Sequence, residues 1–78
     1  MSRKKNRHLT RWHVMVDGVR MYIPVNTMKV GDSIFIPCIN FSVVEYIIRR
    51  MMTDEGFKLS LKERIEQGVL GLRFWRVL

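Results

Sequence analysis

Alternation between apolar and polar residues starts at Arg11 and organises almost everything after it. Residues 1–10 show no periodicity and read as a flexible basic arm, with a single small domain expected over 11–78. Trp12, Val14 and Val16 alternate with Arg11, His13 and Met15, and Asp17-Gly18 then offers a type I′ turn, a strong hairpin signal. Folding about that turn pairs Val16 with Val19, Val14 with Met21 and Trp12 with Ile23 on one apolar face. Met15 with Arg20 and His13 with Tyr22 fall on the other face, so register and pattern agree. Pro24 cannot donate to a ladder and ends the second strand.

Val25 to Val30 reads as a connector, Gly31-Asp32 as a turn, and Ser33-Ile34-Phe35-Ile36 as a short strand closed by Pro37. Ser42 and Glu45 have the spacing of a capping box, in which hydroxyl and carboxylate each satisfy an orphan N–H. Val44, Ile47, Ile48 and Met51 follow as a core-facing stripe, and Gly56 is a natural stop, so the pattern predicts a helix from Val43 to Glu55. Tyr46, Arg49, Arg50 and Thr53 point away from the stripe. Phe57 to Leu78 predicts a second hairpin turning at Gln67-Gly68. Phe57, Leu59, Leu61, Ile65, Leu70, Leu72 and Phe74 would share its apolar face. Lys58, Ser60, Lys62, Arg64, Arg73 and Trp75 would share the opposite one. The fold class is α+β: a small antiparallel β-sheet (two hairpins plus a short strand) packed against one α-helix.

Charge sharpens this picture. Fourteen Lys and Arg against seven Asp and Glu give a net charge of +7, and the apolar fraction of 47% is that of a globular chain. Arg3, Lys4, Lys5, Arg7 and Arg11 crowd the first eleven residues, and Lys58, Lys62, Arg64, Arg73 and Arg76 crowd the last hairpin. The stretch between them is balanced, with four cations and five acids over residues 14–56. A basic arm plus one basic face is the electrostatic footprint of a nucleic-acid binder. Cys38 is the single cysteine and cannot close an internal disulfide, which suits a reducing, cytoplasmic location. No apolar run approaches the roughly 20 residues needed to span a bilayer, and no membrane partner is expected.

The chemical inventory favours binding over catalysis. His8 and His13 have no ligand at metal spacing, and Cys38 has no neighbouring base. Asp54-Glu55 reads as a solvated helix end, and Gly31-Asp32-Ser33 is too poor in glycine to cradle a phosphate. No enzyme activity, metal or cofactor is therefore expected. Arg73-Phe74-Trp75-Arg76 interleaves cations with aromatics, which neutralises phosphates and offers rings for stacking. Trp75 has a second reading, as packing against Val69, Val77 and the N-terminal hairpin, and Arg73 is the firmer contact residue. Tyr46, Arg49 and Arg50 form a candidate partner surface on the helix. Met15 and Met52 would add to a protein interface if exposed together.

Pro24, Met28, Val30-Gly31-Asp32-Ser33, Phe35, Pro37, Arg49-Arg50, Gly71, Arg73 and Trp75-Arg76 together resemble the pattern of small accessory proteins of tailed bacteriophages. Pro24 to Val77 carries the match. The resemblance implies a phage-encoded protein, in some relatives presumed to bind DNA, with no reaction attached. Val43, Val44, Tyr46 and Ile48 are bulkier than the small, basic helix of that pattern, which favours the sheet over the helix as a DNA-binding surface. The expectation is a non-enzymatic nucleic-acid binder, with DNA ahead of RNA, using the hairpin face and the arm. The alternative is a host-takeover or anti-defence protein that binds and inhibits a bacterial host protein. Self-association through an open sheet edge, as a homodimer or a virion component, is a third option.

Overall fold

The structure is a computed structural model that describes residues 12–78. Strands β1 (His13–Val16) and β2 (Val19–Tyr22) form the first hairpin in the predicted register, with Val16 opposite Val19 and His13 opposite Tyr22. Asp17 and Gly18 take φ of +49° and +79°, the paired positive values of a type I′ turn. The Ile23 N–H donates to the Trp12 carbonyl at 2.7 Å and adds one more rung. Val16 and Ile23 are buried. The connector is more structured than its sequence suggests: a 3₁₀ turn over Val25–Thr27 drives Val25 and Met28 into the core.

Strand β3 (Ser33–Pro37), helix α1 (Phe41–Asp54) and strands β4 (Leu59–Glu66) and β5 (Val69–Arg76) complete the described chain. The strands divide into two antiparallel sheets, β1-β2 and a three-stranded sheet in the order β3-β5-β4. The central strand is thus the last in sequence, and helix α1 carries the chain from one edge to the other. Gln67 and Gly68 repeat the turn of the first hairpin, with φ of +52° and +78°.

Helix α1 starts at Phe41, two residues before the predicted Val43. Ser42 therefore lies inside the first turn, and the expected capping box does not form. Its hydroxyl reaches the Asn40 Oδ1 at 3.5 Å, while Glu45 accepts from Arg49 Nε at 2.8 Å. An i,i+4 pair with the acid on the N-terminal side is the better use of that carboxylate once Ser42 is helical. At the other end Gly56 has φ +78°; its N–H bonds the Thr53 carbonyl and the Phe57 N–H the Met52 carbonyl, a Schellman cap.

The register sorts the large sheet into two faces. Ile34, Ile36, Leu59, Leu61, Leu72 and Phe74 face the helix, where they meet Val44, Ile48, Met51 and Met52. Phe74 and Ile48 are fully buried, each contributing about 1.5–3 kcal/mol by removal from water. Two predicted members of that face do not join the core: Ile65 is 70% and Leu70 41% exposed. They form the rung beyond the last β3–β5 pair, Pro37 opposite Gly71, where the Cys38 N–H still donates to the Leu70 carbonyl at 3.2 Å but no strand lies alongside the turn that follows.

Candidate nucleic-acid interface

The second face of the large sheet bears Ser33, Phe35 and Pro37 from β3, Val69, Gly71, Arg73 and Trp75 from β5, and Ser60, Lys62, Arg64 and Glu66 from β4. All are exposed or half-buried except Gly71. Alternation along three strands therefore brings Lys62, Arg64, Arg73 and Trp75 together, as the sequence predicts. It adds three residues that the hairpin alone did not reveal: Ser33, Phe35 and Glu66.

Gly71 sets the geometry of this face. A Cβ at this position would lie 2.3 Å from the Ile36 carbonyl oxygen and 2.7 Å from Phe35 Cζ. The absent side chain lets β3 close on β5 and lets the Phe35 ring lie over the glycine, as aromatic neighbours do for glycines in sheets. Phe35 in turn supports Arg73, whose guanidinium carbon is 5.6 Å from the ring centroid.

Arg73 is not the free cation that its alternation suggests. Its Nε and Nη2 each donate to the Glu66 carboxylate at 2.6 Å, and its Nη1 donates to Ser33 Oγ at 2.7 Å. Such a bidentate pair fixes the plane of the guanidinium. The Arg73 hydrogen bonds hold the Glu66 carboxyl below its ordinary range, and Glu66 raises Arg73. Arg64 shares the same carboxylate at 3.2 Å. Lys62, directly opposite Arg73, forms no ion pair among the described residues and is exposed.

Two clefts flank Arg73. One, of about 650 Å³, lies beside Trp75 and is walled by Val30, Gly31, Ser60, Lys62 and Val77. The other, of about 400 Å³, lies between Phe35, Pro37, Val69 and Gln67. Trp75 is half-buried, and the expected cluster with Val69 does not form, because the two sit at opposite ends of the face, opposite Ser60 and Glu66 respectively.

Arg76 is not on this face. It stands opposite Leu59 on the helix-side face, stacks on Phe57 with its guanidinium carbon 3.6 Å from the ring centroid, and donates to the Met28 and Leu78 carbonyls. Its backbone also pairs with Gly31 and Asp32. The V-G-D-S and R-x-W-R stretches are consequently hydrogen-bonded neighbours, and the half-buried Arg76 fastens the last strand.

The remaining candidates are dispersed. Lys58 lies with Arg49 and Thr53 along a shallow groove at the helix end. Arg50 donates to the Tyr46 hydroxyl at 3.0 Å, so Tyr46, Arg49 and Arg50 are tied within the helix surface. Met15 is 58% exposed, but Met52 is fully buried, and the methionine pair does not form a surface. Cys38 is buried, and its thiol is pushed up by that burial and by Asp17, which suits a packing role. The His13 and Tyr22 rings meet at a tilt of 46°, their centroids 5.1 Å apart. Among the described residues no group of His, Cys, Asp and Glu could hold a metal, and no helix is long and apolar enough to cross a membrane. Arg3, Lys4, Lys5 and Arg7 lie outside the described residues. No protein family, curated protein or solved structure matches this chain.

Proposed function

We propose that this chain is a non-enzymatic nucleic-acid-binding protein whose contact surface is the open face of the three-stranded sheet. One observation carries the reading: Lys62, Arg64 and Arg73 share that face with the rings of Phe35 and Trp75 and with a single acid, Glu66. Lys62, without an ion pair among the described residues, meets a phosphate and the rings meet bases, while the +7 net charge draws a polyanion from a distance. The arm residues Arg3, Lys4, Lys5 and Arg7 add phosphate contacts. From the resemblance drawn above, the setting is that of a phage-encoded accessory protein acting in the cytoplasm of a bacterial host, with DNA the first ligand to test.

Fluorescence anisotropy with labelled DNA over a salt series tests this directly. The logarithm of affinity falls linearly with the logarithm of salt concentration, at about 0.7 per phosphate contact for a single strand and about 0.9 for a duplex. Lys62→Gln reduces that slope by about one contact. Affinity indifferent to salt and to Lys62 refutes the proposal.

A second reading, a protein partner, draws on the overhanging tip, where Ile65 and Leu70 are exposed and Ile39 is 75% exposed nearby. An exposed apolar cluster of this kind suits an interface with a bacterial protein. A stoichiometric partner retained after nuclease treatment of a bacterial lysate favours it.

A further inference from the structure

Accepting the nucleic-acid reading above, we infer that the ligand is single-stranded, and that one unstacked base enters the cleft between Trp75 and Lys62. The shape of the face points there first. A major groove about 12 Å wide admits a helix or a two-stranded ribbon. Three strands spaced about 4.8 Å apart, with side chains at both edges and a helix behind, do not enter it. The only two-stranded ribbon in the sheet is the overhanging tip of β4–β5. That tip, beyond the Pro37–Gly71–Arg64 rung, presents Ile65, Gln67, Val69 and Leu70, carries no cation, and holds one acid, Glu66. A groove reader needs the opposite composition.

Spacing points the same way. Trp75 and Arg73 are two residues apart on β5, so their side chains leave the sheet about 6.6–6.8 Å apart. Nucleotides along one strand of B-DNA rise about 3.4 Å each. Successive bases can reach the indole and the guanidinium plane only if the strand is stretched and its bases are parted. A single strand does this readily, and a duplex does not.

The chemistry of the two positions fits successive nucleotides. Trp75 borders a cleft of about 650 Å³, large enough for a base, with Ser60 beside it and the exposed Lys62 ammonium at its rim for the phosphate. Arg73, its edge held by Glu66 and Ser33 and its guanidinium carbon 5.6 Å from the Phe35 ring centroid, offers a second planar group. Bases stack on guanidinium planes as well as on rings. The tether to Glu66 that removes Arg73 as a free phosphate contact thus prepares it as a stacking surface.

The test compares three probes of equal phosphate count on the intact protein: an oligothymidine, an abasic strand and a duplex. The oligothymidine binds at least tenfold tighter than the other two. With Trp12→Phe leaving Trp75 as the only indole, oligothymidine quenches its fluorescence and the abasic strand does not. Trp75→Leu weakens oligothymidine binding about five- to 150-fold, the range for one base–aromatic stack, leaves abasic binding unchanged, and is partly rescued by Trp75→Phe. Equal affinity for the abasic strand and oligothymidine in the unaltered protein, or for duplex and single strand, overturns the inference while leaving the broader proposal in place. Absence of binding to all three probes overturns both.

Discussion

Gly71→Ala is the substitution whose consequence follows most closely from the geometry. The new methyl would sit 2.3 Å from the Ile36 carbonyl oxygen, 2.9 Å from the Ile36 carbonyl carbon and 2.7 Å from Phe35 Cζ. Phe35 can turn aside, but Ile36 is backbone on the neighbouring strand. Relief to an ordinary contact of 3.4 Å requires about 1.1 Å of separation, the difference between 3.4 and 2.3 Å, at the rungs Ile36–Leu72 and Pro37–Gly71. Overpacking of this kind costs about 1–3 kcal/mol, and a clash with backbone belongs at the upper end. The stiffer unfolded chain returns up to about 1 kcal/mol, leaving a net loss of about 2 kcal/mol. For a domain of this size that is a fall in Tm of about 8–16 °C. Circular dichroism melts of both proteins measure it. An unchanged or raised Tm refutes the close approach of β3 to β5, and with it the placement of Phe35 beneath Arg73.

Other consequences concern the face and the core. Glu66→Gln releases Arg73 and Arg64, so nucleic-acid affinity rises at low salt and the salt slope steepens by about 0.7 for each guanidinium that reaches a phosphate; an unchanged slope rules this out. Because the Arg73 bonds hold the folded-state carboxyl of Glu66 below its ordinary value of 4.5, its contribution to stability is complete above that pH and is lost as pH falls through the lower folded value. Melts across the acid range therefore show a steeper loss of Tm in the wild type than in Glu66→Gln, and parallel curves contradict the pairing. Phe74→Ala empties a fully buried ring site and costs about 3–5 kcal/mol, a large part of the stability of a small domain. A urea midpoint that barely moves shows that Phe74 is not central to the core.

The local elements are legible in the chain because their signals are local. Asp17-Gly18 and Gln67-Gly68 fix both hairpins through the positive φ that type I′ turns demand, and the stripe from Val44 to Met51 fixes the buried side of the helix. Pairing between distant segments is not encoded that way. Nothing in Ser33–Pro37 alone says that it lies along β5 with Phe35 opposite Arg73, so the ring beside the guanidinium is not legible in the chain. Alternation likewise counts Arg73 as an outward charge. Only the tertiary arrangement shows Glu66, seven residues away in sequence, closing on it. Arg76 illustrates the converse: the basic stretch does not reveal that Phe57 and the Met28 carbonyl engage this half-buried cation. Ile65 and Leu70 fit the apolar pattern, yet they lie at the end of the sheet, where β3 has finished and both stay exposed.

Amide chemical-shift mapping during titration with oligothymidine shows whether the open sheet face is the binding surface. Shifts concentrate at Ser33, Phe35, Lys62, Arg73 and Trp75, including the Trp75 indole N–H, with Tyr46 and Arg50 on the helix unmoved. Shifts centred on the helix, or none at saturating oligothymidine, contradict that role of the face.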